Sequence, residues 1–247
     1  MKIEVLFPEI CNLYGDLGNI RYIEQSLKDV EIINTSIKAK PAFVDERVDL
    51  IYMGTTTEKG LILAIDALKP YKEKIVELID KGQFFLITGN ALDIFGKYIE
   101  SDWAEKIEGL GILDTTAKYK MLKRHNSFFV GNYVNHKNDK KAPCKVVGFK
   151  SIFGHTYPGE SGKACEGMFV KEKGIGRNTE ETSEGFRINN FMATYLIGPI
   201  LPLNPILTEE LLAEMGHECE AAFKDTAMKA YKERLDEMLS DRLHAVY

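Results

Sequence analysis

Short apolar runs, each closed by a glycine, a proline or a polar turn, mark the first part of the chain. These runs predict buried strands over residues 2–7, 30–37, 48–53 and 84–87. Apolar positions at helical spacing predict helices over residues 58–68 and 70–81, and another after the first loop, for which Asn19 is a candidate N-cap. Because strands and helices alternate, this half predicts an α/β fold with a mainly parallel central sheet flanked by helices.

The second half has shorter apolar runs, separated by glycine, asparagine, proline and charged residues. Antiparallel strands attached to the same sheet are predicted near residues 118–123, 127–133, 145–149 and 167–170, with a last core strand over 191–196. Residues 136–141 are predicted to form a solvated loop. One long helical segment is predicted over residues 207–243. Since no repeat or low-complexity linker interrupts the chain, we expect a single domain of residues 1–247.

The stretch QFFLITGNALDIFG (residues 83–96) is the one around which the predicted sheet is organised. Its pattern indicates a buried strand, a tight turn at Thr88-Gly89-Asn90 and a helix from about Ala91. In an open α/β sheet, a turn at the carboxyl end of a strand faces the ligand crevice. In α/β-hydrolases such a turn exposes the nucleophile. The central residue here is Gly89, which has no side chain, so an ordinary β–α turn is the competing interpretation.

Composition and charge narrow the class of protein. The 247 residues are 45% hydrophobic and 28% charged, which is typical of a globular protein, and the formal net charge of −5 disfavours nucleic-acid binding. No apolar run is long enough to span a membrane. The four cysteines (Cys11, Cys144, Cys165, Cys219) are scattered without metal-ligand spacing, so we expect reduced thiols, no metal site and a cytoplasmic location.

Several stretches, taken in order along nearly the whole chain, resemble motifs of one enzyme family. They are NLYGDLGN (12–19), DLIYMGTTTEKG (49–60), the turn after residue 87, GLGILDTTA (109–117), VVGFKSIFGHTY (146–157) and ATYLIGPILPLNP (193–205). Together they resemble the CobB/CobQ-like class I glutamine amidotransferases, and within that family the GatD-type subunits of lipid II isoglutaminyl synthase. The resemblance implies a flavodoxin-like fold of the class I glutamine amidotransferase type.

The resemblance also implies an activity and a partner. Members hydrolyse glutamine to ammonia with a cysteine thiolate that attacks the side-chain amide and a histidine that transfers the proton. Backbone N–H groups stabilise the oxyanion. A GatD-type subunit passes its ammonia to a MurT-like Mur ligase, which uses ATP to activate the glutamate carboxyl of the bacterial peptidoglycan stem peptide. No cofactor is expected in the chain itself.

This chain departs from the family pattern at the catalytic positions. Aligned with the family, Gly89 occupies the position of the cysteine and Ile197 that of the histidine. Thr55 and Thr56 replace glycines of the oxyanion turn, and the residues at 150–152 differ from the family's middle motif. Since glycine cannot form an acyl-enzyme and isoleucine cannot carry a proton, the resemblance predicts that the glutaminase dyad is lost. Cys11 is the alternative nucleophile, and a buried or loop thiol is its competing interpretation.

The remaining candidates are ligand-binding residues around the predicted crevice. Asn12, Tyr14 and Asp16 either line the crevice or tie the first loop to its own backbone. Arg124 lies near the family's carboxylate-binding arginine, and a guanidinium suits a carboxylate, although a solvated Lys-Arg pair is the alternative. His155 stands at a family arginine position. The other candidate binding residues are Thr55, Thr56, Asn90 and Tyr195.

Three functional hypotheses follow from these observations, because a fold and a family do not assign a function. The first is a non-catalytic partner or regulatory subunit for a MurT-like Mur ligase in cell-wall peptide amidation. The second is a small-molecule module that binds an amino acid in the vacated crevice. The third is an active amidotransferase that uses other residues, so enzymatic activity stays open.

Overall fold

A computed structural model of the chain describes residues 1–134, 144–159 and 166–244. Within them the α-helices are α1 (Gly18–Ser26), α2 (Glu58–Leu68), α3 (Lys72–Asp80), α4 (Ile200–Leu203), α5 (Pro205–Glu214) and α6 (Lys224–Leu239). The strands are β1 (Lys2–Leu6), β2 (Glu31–Thr35), β3 (Leu50–Met53), β4 (Phe84–Thr88), β5 (Tyr98–Ser101), β6 (Ile107–Glu108), β7 (Thr115–Tyr119), β8 (His125–Tyr133), β9 (Cys144–Ile152), β10 (Gly154–Pro158), β11 (Phe169–Lys173), β12 (Ser183–Glu184), β13 (Phe186–Ile188) and β14 (Phe191–Thr194).

The central sheet has six strands in the order β13-β14-β4-β3-β1-β2. All neighbours pair in parallel except β13 and β14, which are antiparallel. The strands predicted from the apolar runs of the first part are therefore confirmed to within a few residues, as is α2. The mainly parallel sheet with flanking helices is also confirmed.

Two apolar cores cover the two faces of this sheet, because successive side chains of a strand point to opposite sides. Ile51 and Ile87 belong to the core beneath α2 and α3. Leu50 and Leu86 belong to the opposite core, where α1 and α5 pack. Full burial of such a side chain contributes about 1.5–3 kcal/mol. Since both faces are buried, the strands form continuous apolar runs in the sequence.

Strands β5 to β12 form two further sheets, so the prediction that the strands near residues 118–123, 127–133, 145–149 and 167–170 extend the central sheet is wrong. Of the described strands in the second half, only β13 and β14 belong to the central sheet. One sheet has the order β10-β7-β5-β6, and the other has the antiparallel order β12-β11-β8-β9. The long pairing of β8 with β9 runs from His125↔Ile152 to Tyr133↔Cys144. The predicted solvated loop at 136–141 lies outside the described residues.

Three local predictions also need correction. The predicted helix over 207–243 is two helices, because the chain turns at Gly216 (φ +86°), a conformation that glycine adopts without strain. Asn19 is not an N-cap, since Leu17 holds that position and Asn19 lies inside α1. The segment after β4 is the 3₁₀ helix Gly89–Phe95 and not an α-helix.

Candidate functional site

The carboxyl ends of four neighbouring strands meet at one edge of the central sheet. The first loop follows β1, the turn at residues 54–57 follows β3, Gly89 follows β4, and Ile197 follows β14. Ligand crevices of open α/β sheets lie at this edge. A cleft with a volume of about 180 Å³ opens there. Its lining residues are Leu13, Tyr14, Thr55, Thr56, Thr57, Glu58, Gly89, Asn90, Tyr119, Arg124, Ser151, Ile152, Phe153 and Ile197.

The cleft brings together most of the residues singled out in the sequence. Gly89, Ile197 and Arg124 share its lining, although they are far apart in the chain, and so do the candidates Tyr14, Thr55, Thr56 and Asn90. Asn12, Asp16 and Tyr195 lie outside the lining. The structure therefore separates the residues that face the cleft from those that hold its walls.

The side chain of Thr55 fills the space beside Gly89. A Cβ atom built on Gly89 would lie 2.0 Å from Thr55 Oγ1 and 2.7 Å from both Thr55 Cβ and Cγ2. Real Cβ atoms do not approach other atoms this closely. Gly89 also has φ +64°, the left-handed conformation that glycine tolerates best. A cysteine at this position would need Thr55 to move.

Asp16 holds Thr55 in that place. One carboxylate oxygen, Oδ2, accepts hydrogen bonds from Thr55 Oγ1 at 2.5 Å, from the Thr55 backbone N–H at 2.7 Å and from Thr88 Oγ1 at 2.8 Å. Tyr52 donates its hydroxyl to the Asp16 carbonyl at 2.8 Å. Asp16 is fully buried, and this burial raises the pKa of its carboxyl. The carboxyl thus connects the first loop to the ends of β3 and β4.

Hydrogen bonds also fix Thr56 and Thr57, the rest of the threonine turn at residues 55–57. Thr56 N–H donates to Asn90 Oδ1 at 3.0 Å, and Asn90 Nδ2 donates to the Thr56 carbonyl at 2.9 Å. The Thr56 hydroxyl donates to the Ile10 carbonyl at 2.9 Å. Thr57 caps α2 by accepting a hydrogen bond from the Gly60 N–H at 3.0 Å. The Thr56 backbone N–H therefore already has an acceptor, and it is not available to an oxyanion.

The first loop presents Tyr14 at the cleft mouth. Asn12 ties the loop to its own backbone, since its Oδ1 accepts from the Leu17 N–H at 3.0 Å. Tyr14 is 47% exposed and has φ +58°, which is strained for a bulky residue. Strain of this kind costs on the order of 1–3 kcal/mol and is concentrated at functional sites. The Leu13 N–H bond to the Thr55 carbonyl at 3.0 Å helps to hold the loop in this conformation.

The opposite wall of the cleft carries Ile197 and Arg124. Ile197 is buried and donates its backbone N–H to the Phe149 carbonyl at 3.0 Å, which joins the end of β14 to β9. Arg124 is exposed, and its guanidinium carbon lies 4.5 Å from the centre of the Phe153 ring. Stacking on an aromatic ring leaves the N–H groups of an arginine free to contact an anion.

Cys11 does not provide a thiolate for this cleft. The residue is fully buried, it is absent from the cleft lining, and burial raises the pKa of its thiol to about 12. The thiol, and not the nucleophilic thiolate, is therefore present near neutral pH. Among the described cysteines, Cys144 is also buried, and burial raises the pKa of Cys219. Cys165 lies outside the described residues.

A second buried carboxyl, which the sequence did not single out, lies behind the cleft. Asp93 accepts hydrogen bonds from Tyr195 at 2.7 Å, from Tyr119 at 2.6 Å and from Thr156 at 3.0 Å. Its burial raises the pKa of the carboxyl to about 6, and these hydrogen bonds oppose the shift. Tyr119 reaches the cleft lining, whereas Tyr195 is fully buried. Tyr195 therefore supports the wall from behind.

Lys150, which lies in the stretch at residues 146–157, is also buried. Its ammonium group forms an ion pair with Glu184 and donates to the Gly176 carbonyl at 2.5 Å. Burial lowers the pKa of Lys150, although the Glu184 carboxylate opposes this shift. His155 packs against His125 with ring centroids 4.3 Å apart, and neither of its ring nitrogens has a hydrogen-bond partner among the described residues. Neither Lys150 nor His155 lines the cleft.

The fold and the position of the cleft define a class I glutamine amidotransferase-like protein, and the comparison of sequences agrees. The family model of the CobB/CobQ-like glutamine amidotransferase domain matches residues 2–205, and the chain belongs to this family. It is 31% identical over 204 residues to the GatD subunit of lipid II isoglutaminyl synthase (glutamine-hydrolysing) from Staphylococcus aureus strain N315. That match covers 81% of this chain and 78% of the relative.

Solved structures share the fold at low sequence identity. The structure of PurLQS from Thermotoga maritima matches with a TM-score of 0.54 and 11% identity, over 95% of this chain and 98% of that one. A glutamine amidotransferase from Thermotoga maritima matches with a TM-score of 0.51 and 13% identity, over 98% and 87%. Among the residues that the structure describes, no helix has the length and apolar character needed to cross a bilayer. No group of three or more potential metal ligands occurs in the same part of the chain.

Proposed function

We propose that this chain is a GatD-like subunit that has lost the glutaminase dyad and serves as a non-catalytic partner or regulator of a MurT-like Mur ligase in cell-wall peptide amidation. The observation that supports this proposal is the contact between Thr55 and Gly89. The family's nucleophile would start at Gly89, and the Thr55 side chain lies 2.0 Å from that starting atom. A buried threonine that is hydrogen-bonded to Asp16 thus occupies the space that a catalytic thiolate on residue 89 would need.

The surroundings of this contact support the same proposal. Ile197 offers an aliphatic side chain where the family has its proton-transferring imidazole. The Thr56 N–H is bonded to Asn90, and Cys11 is buried as a thiol. Loss of either the nucleophile or its general base in a well-studied protease lowers kcat by on the order of 10⁶. A scaffold whose walls stay ordered without that dyad can still dock on a ligase.

The test is an amidation assay with the purified Mur-ligase subunit from the same organism, with and without this chain. We expect no ammonia release from glutamine above background, amidation that depends on added ammonium, and co-elution of the two proteins. A change in the ammonium-dependent rate when the chain is added would show a regulatory role. Glutamine-dependent amidation, or a lack of association, would contradict the proposal.

A second candidate function has its own supporting observation, the open cleft of about 180 Å³ beside Arg124. Pockets for drug-sized ligands have volumes of about 300 Å³ or more. The smaller volume of this cleft suits a molecule of the size of an amino acid. The exposed guanidinium of Arg124 is a suitable partner for a carboxylate. A thermal shift with glutamine or glutamate that disappears in Arg124→Ala would support this function, and a lack of shift would contradict it.

A further inference from the structure

Three of the six large apolar side chains that are exposed among the described residues lie on two segments that contribute residues to the cleft lining. Leu122 is 100% exposed at the tip of the turn between β7 and β8, and Arg124, two residues later, lines the cleft. Leu13 and Tyr14, which are 37% and 47% exposed, lie on the other side of the mouth. A fully exposed leucine contributes nothing to the protein's own core, and grouped apolar exposure marks interaction sites.

The same turn is strongly basic. Lys120, Lys123 and Arg124 surround Leu122, all three are exposed, and none forms an ion pair with a described residue. The protein as a whole is acidic, with a formal net charge of −5. The nearby carboxylates are Asp102, which accepts the Met121 N–H at 3.0 Å, and Glu58 in the cleft lining. The turn around Leu122 therefore carries a local excess of cations in a chain that is acidic as a whole.

Backbone contacts fix this turn in space. Lys123 N–H donates to the Lys120 carbonyl at 2.9 Å, and Lys120 N–H donates to the Phe153 carbonyl at 2.8 Å. With the Asp102 contact, these bonds hold the tip without the help of any packing on Leu122. On the other side of the mouth, the strained backbone of Tyr14 keeps an aromatic ring exposed. Both sides thus present apolar groups at fixed positions, which lowers the entropic cost of binding a partner.

We propose that the mouth surface, defined as Leu13, Tyr14 and residues 120–124, docks an acidic protein surface that has an apolar pocket for Leu122. Charge complementarity selects this occupant, because three cations that form no ion pair with the described part of the chain surround the apolar tip. The identity of the partner rests on the proposed function, which names the Mur-ligase subunit. The proposal that the mouth surface binds an acidic protein surface does not depend on that function, because it is argued from the exposure, charge and backbone contacts of these residues.

The experiment measures binding of the full chain to two probes by isothermal titration calorimetry. One is the purified Mur-ligase subunit from the same organism, and the other is a short synthetic peptide of glutamates around one central phenylalanine. We expect Leu122→Asp to weaken binding about tenfold or more, as for a central anchor residue. The double variant Lys123→Glu with Arg124→Glu is expected to remove most of the salt dependence of the affinity.

Matched controls lie at the other end of α1, away from the cleft. Phe223→Asp replaces another exposed apolar residue, 69% exposed, next to the Ala222 contacts with Tyr22 and Ser26. Lys28→Glu reverses an exposed charge in the same region. Neither change is expected to alter the affinity for either probe by more than about twofold, and circular dichroism of each variant confirms that it is folded.

The outcomes separate the two proposals. Binding of the ligase that Leu122→Asp weakens and Phe223→Asp does not would support both. Binding of the ligase that is equally strong in all variants would overturn the mouth surface and leave the proposed function standing. Binding of the peptide alone, lost in Leu122→Asp, would support the mouth surface and contradict the ligase as partner. If wild-type protein binds neither probe, both proposals fail.

Discussion

Thr55 and Gly89 lie at the ends of neighbouring strands, and the hydroxyl of Thr55 occupies the position at which a side chain on residue 89 would begin. The separation of 2.0 Å between Thr55 Oγ1 and a Cβ on Gly89 leaves no room for both groups. Thr55 is also held by two hydrogen bonds to one oxygen of Asp16. The two positions are therefore sterically coupled, and a change at one depends on the other.

Gly89→Cys is expected to destabilise the protein by about 2–4 kcal/mol, because it adds overpacking against Thr55 to the strain of a left-handed backbone. Gly216→Cys is the matched control. Gly216 also has a positive φ, but a Cβ there meets nothing within 4 Å, so only strain is expected. Urea unfolding of both variants measures the difference. Equal losses of stability would show that Thr55 does not obstruct residue 89.

Restoring the dyad is expected to give no glutaminase. In Gly89→Cys with Ile197→His, the thiol lacks room, and the Thr56 N–H remains bonded to Asn90. Adding Thr55→Gly is expected to recover part of the lost stability but not ammonia release. A coupled glutamate dehydrogenase assay gives the rate. Release above background in the double variant would show that Thr55 and the bonded Thr56 N–H do not prevent catalysis at this site.

Asp16→Ala is expected to cost about 2–4 kcal/mol, because the Thr55 N–H and two threonine hydroxyls lose their buried acceptor. Asp16→Asn keeps an acceptor oxygen, and we expect it to cost less than half as much. Chemical denaturation gives both values. If the two variants are equally stable, the hydrogen bonds to Oδ2 contribute little to the cleft wall.

Asp93 is expected to make stability depend on pH. Burial raises its pKa from 3.8 to about 6, so the folded state binds the proton more tightly than the unfolded state. Its contribution to stability is complete below pH 3.8 and declines by about 3 kcal/mol as the pH rises to 6. We expect the stability of Asp93→Asn relative to wild type to increase over this interval. A constant difference between the two proteins would contradict the raised pKa.

His155 is expected to make stability depend on pH in the opposite direction to Asp93. The effect of Asp93 therefore has to be measured as the difference between wild type and Asp93→Asn. Burial lowers the pKa of His155 from 6.5 to about 4, so the unfolded state binds the proton more tightly. The stability that its neutral ring contributes is present above pH 6.5 and is lost as the pH falls towards 4. We expect His155→Leu to reduce the loss of stability on acidification, measured by thermal unfolding at a series of pH values. An unchanged acid response would contradict this assignment.

Lys150→Met is expected to destabilise the protein by about 3–5 kcal/mol, because it leaves the buried Glu184 carboxylate without its ion-pair partner. Adding Glu184→Gln removes the unpaired charge, and we expect the double variant to be more stable than Lys150→Met alone. A double-mutant cycle from urea unfolding gives the coupling energy. Additive effects of the two changes would show that the pair does not act as a unit.

The sequence predicted the central sheet well because both faces of the sheet are buried, and each of its strands is therefore a continuous apolar run. Helix α2 was equally clear from its periodicity. The two further sheets could not be separated from the central one, since pairing between distant strands leaves no local signal. Gly216 is a sequence signal for the break between α5 and α6. One long helical segment was predicted there because the apolar pattern continues beyond this glycine.

The sequence predicted most residues of the candidate site but not the contacts between them. Family motifs placed Gly89, Ile197 and Arg124 at one crevice, and all three line the cleft. The hydrogen bonds of Asp16 to Thr55 and Thr88 join residues 39 and 72 positions apart, and no spacing rule predicts them. Asp93 was missed because a single aspartate in a predicted helix carries no sign of its burial.

The sharing of one Asp16 oxygen between Thr55 and Thr88 has an evolutionary consequence. A cysteine at residue 89 could not arise by that substitution alone, because the Thr55 side chain occupies the same space. Replacing Thr55 with a smaller residue would in turn remove one of the hydrogen bonds that the buried Asp16 carboxylate accepts. Substitutions at the two positions would therefore have to occur together in the course of evolution.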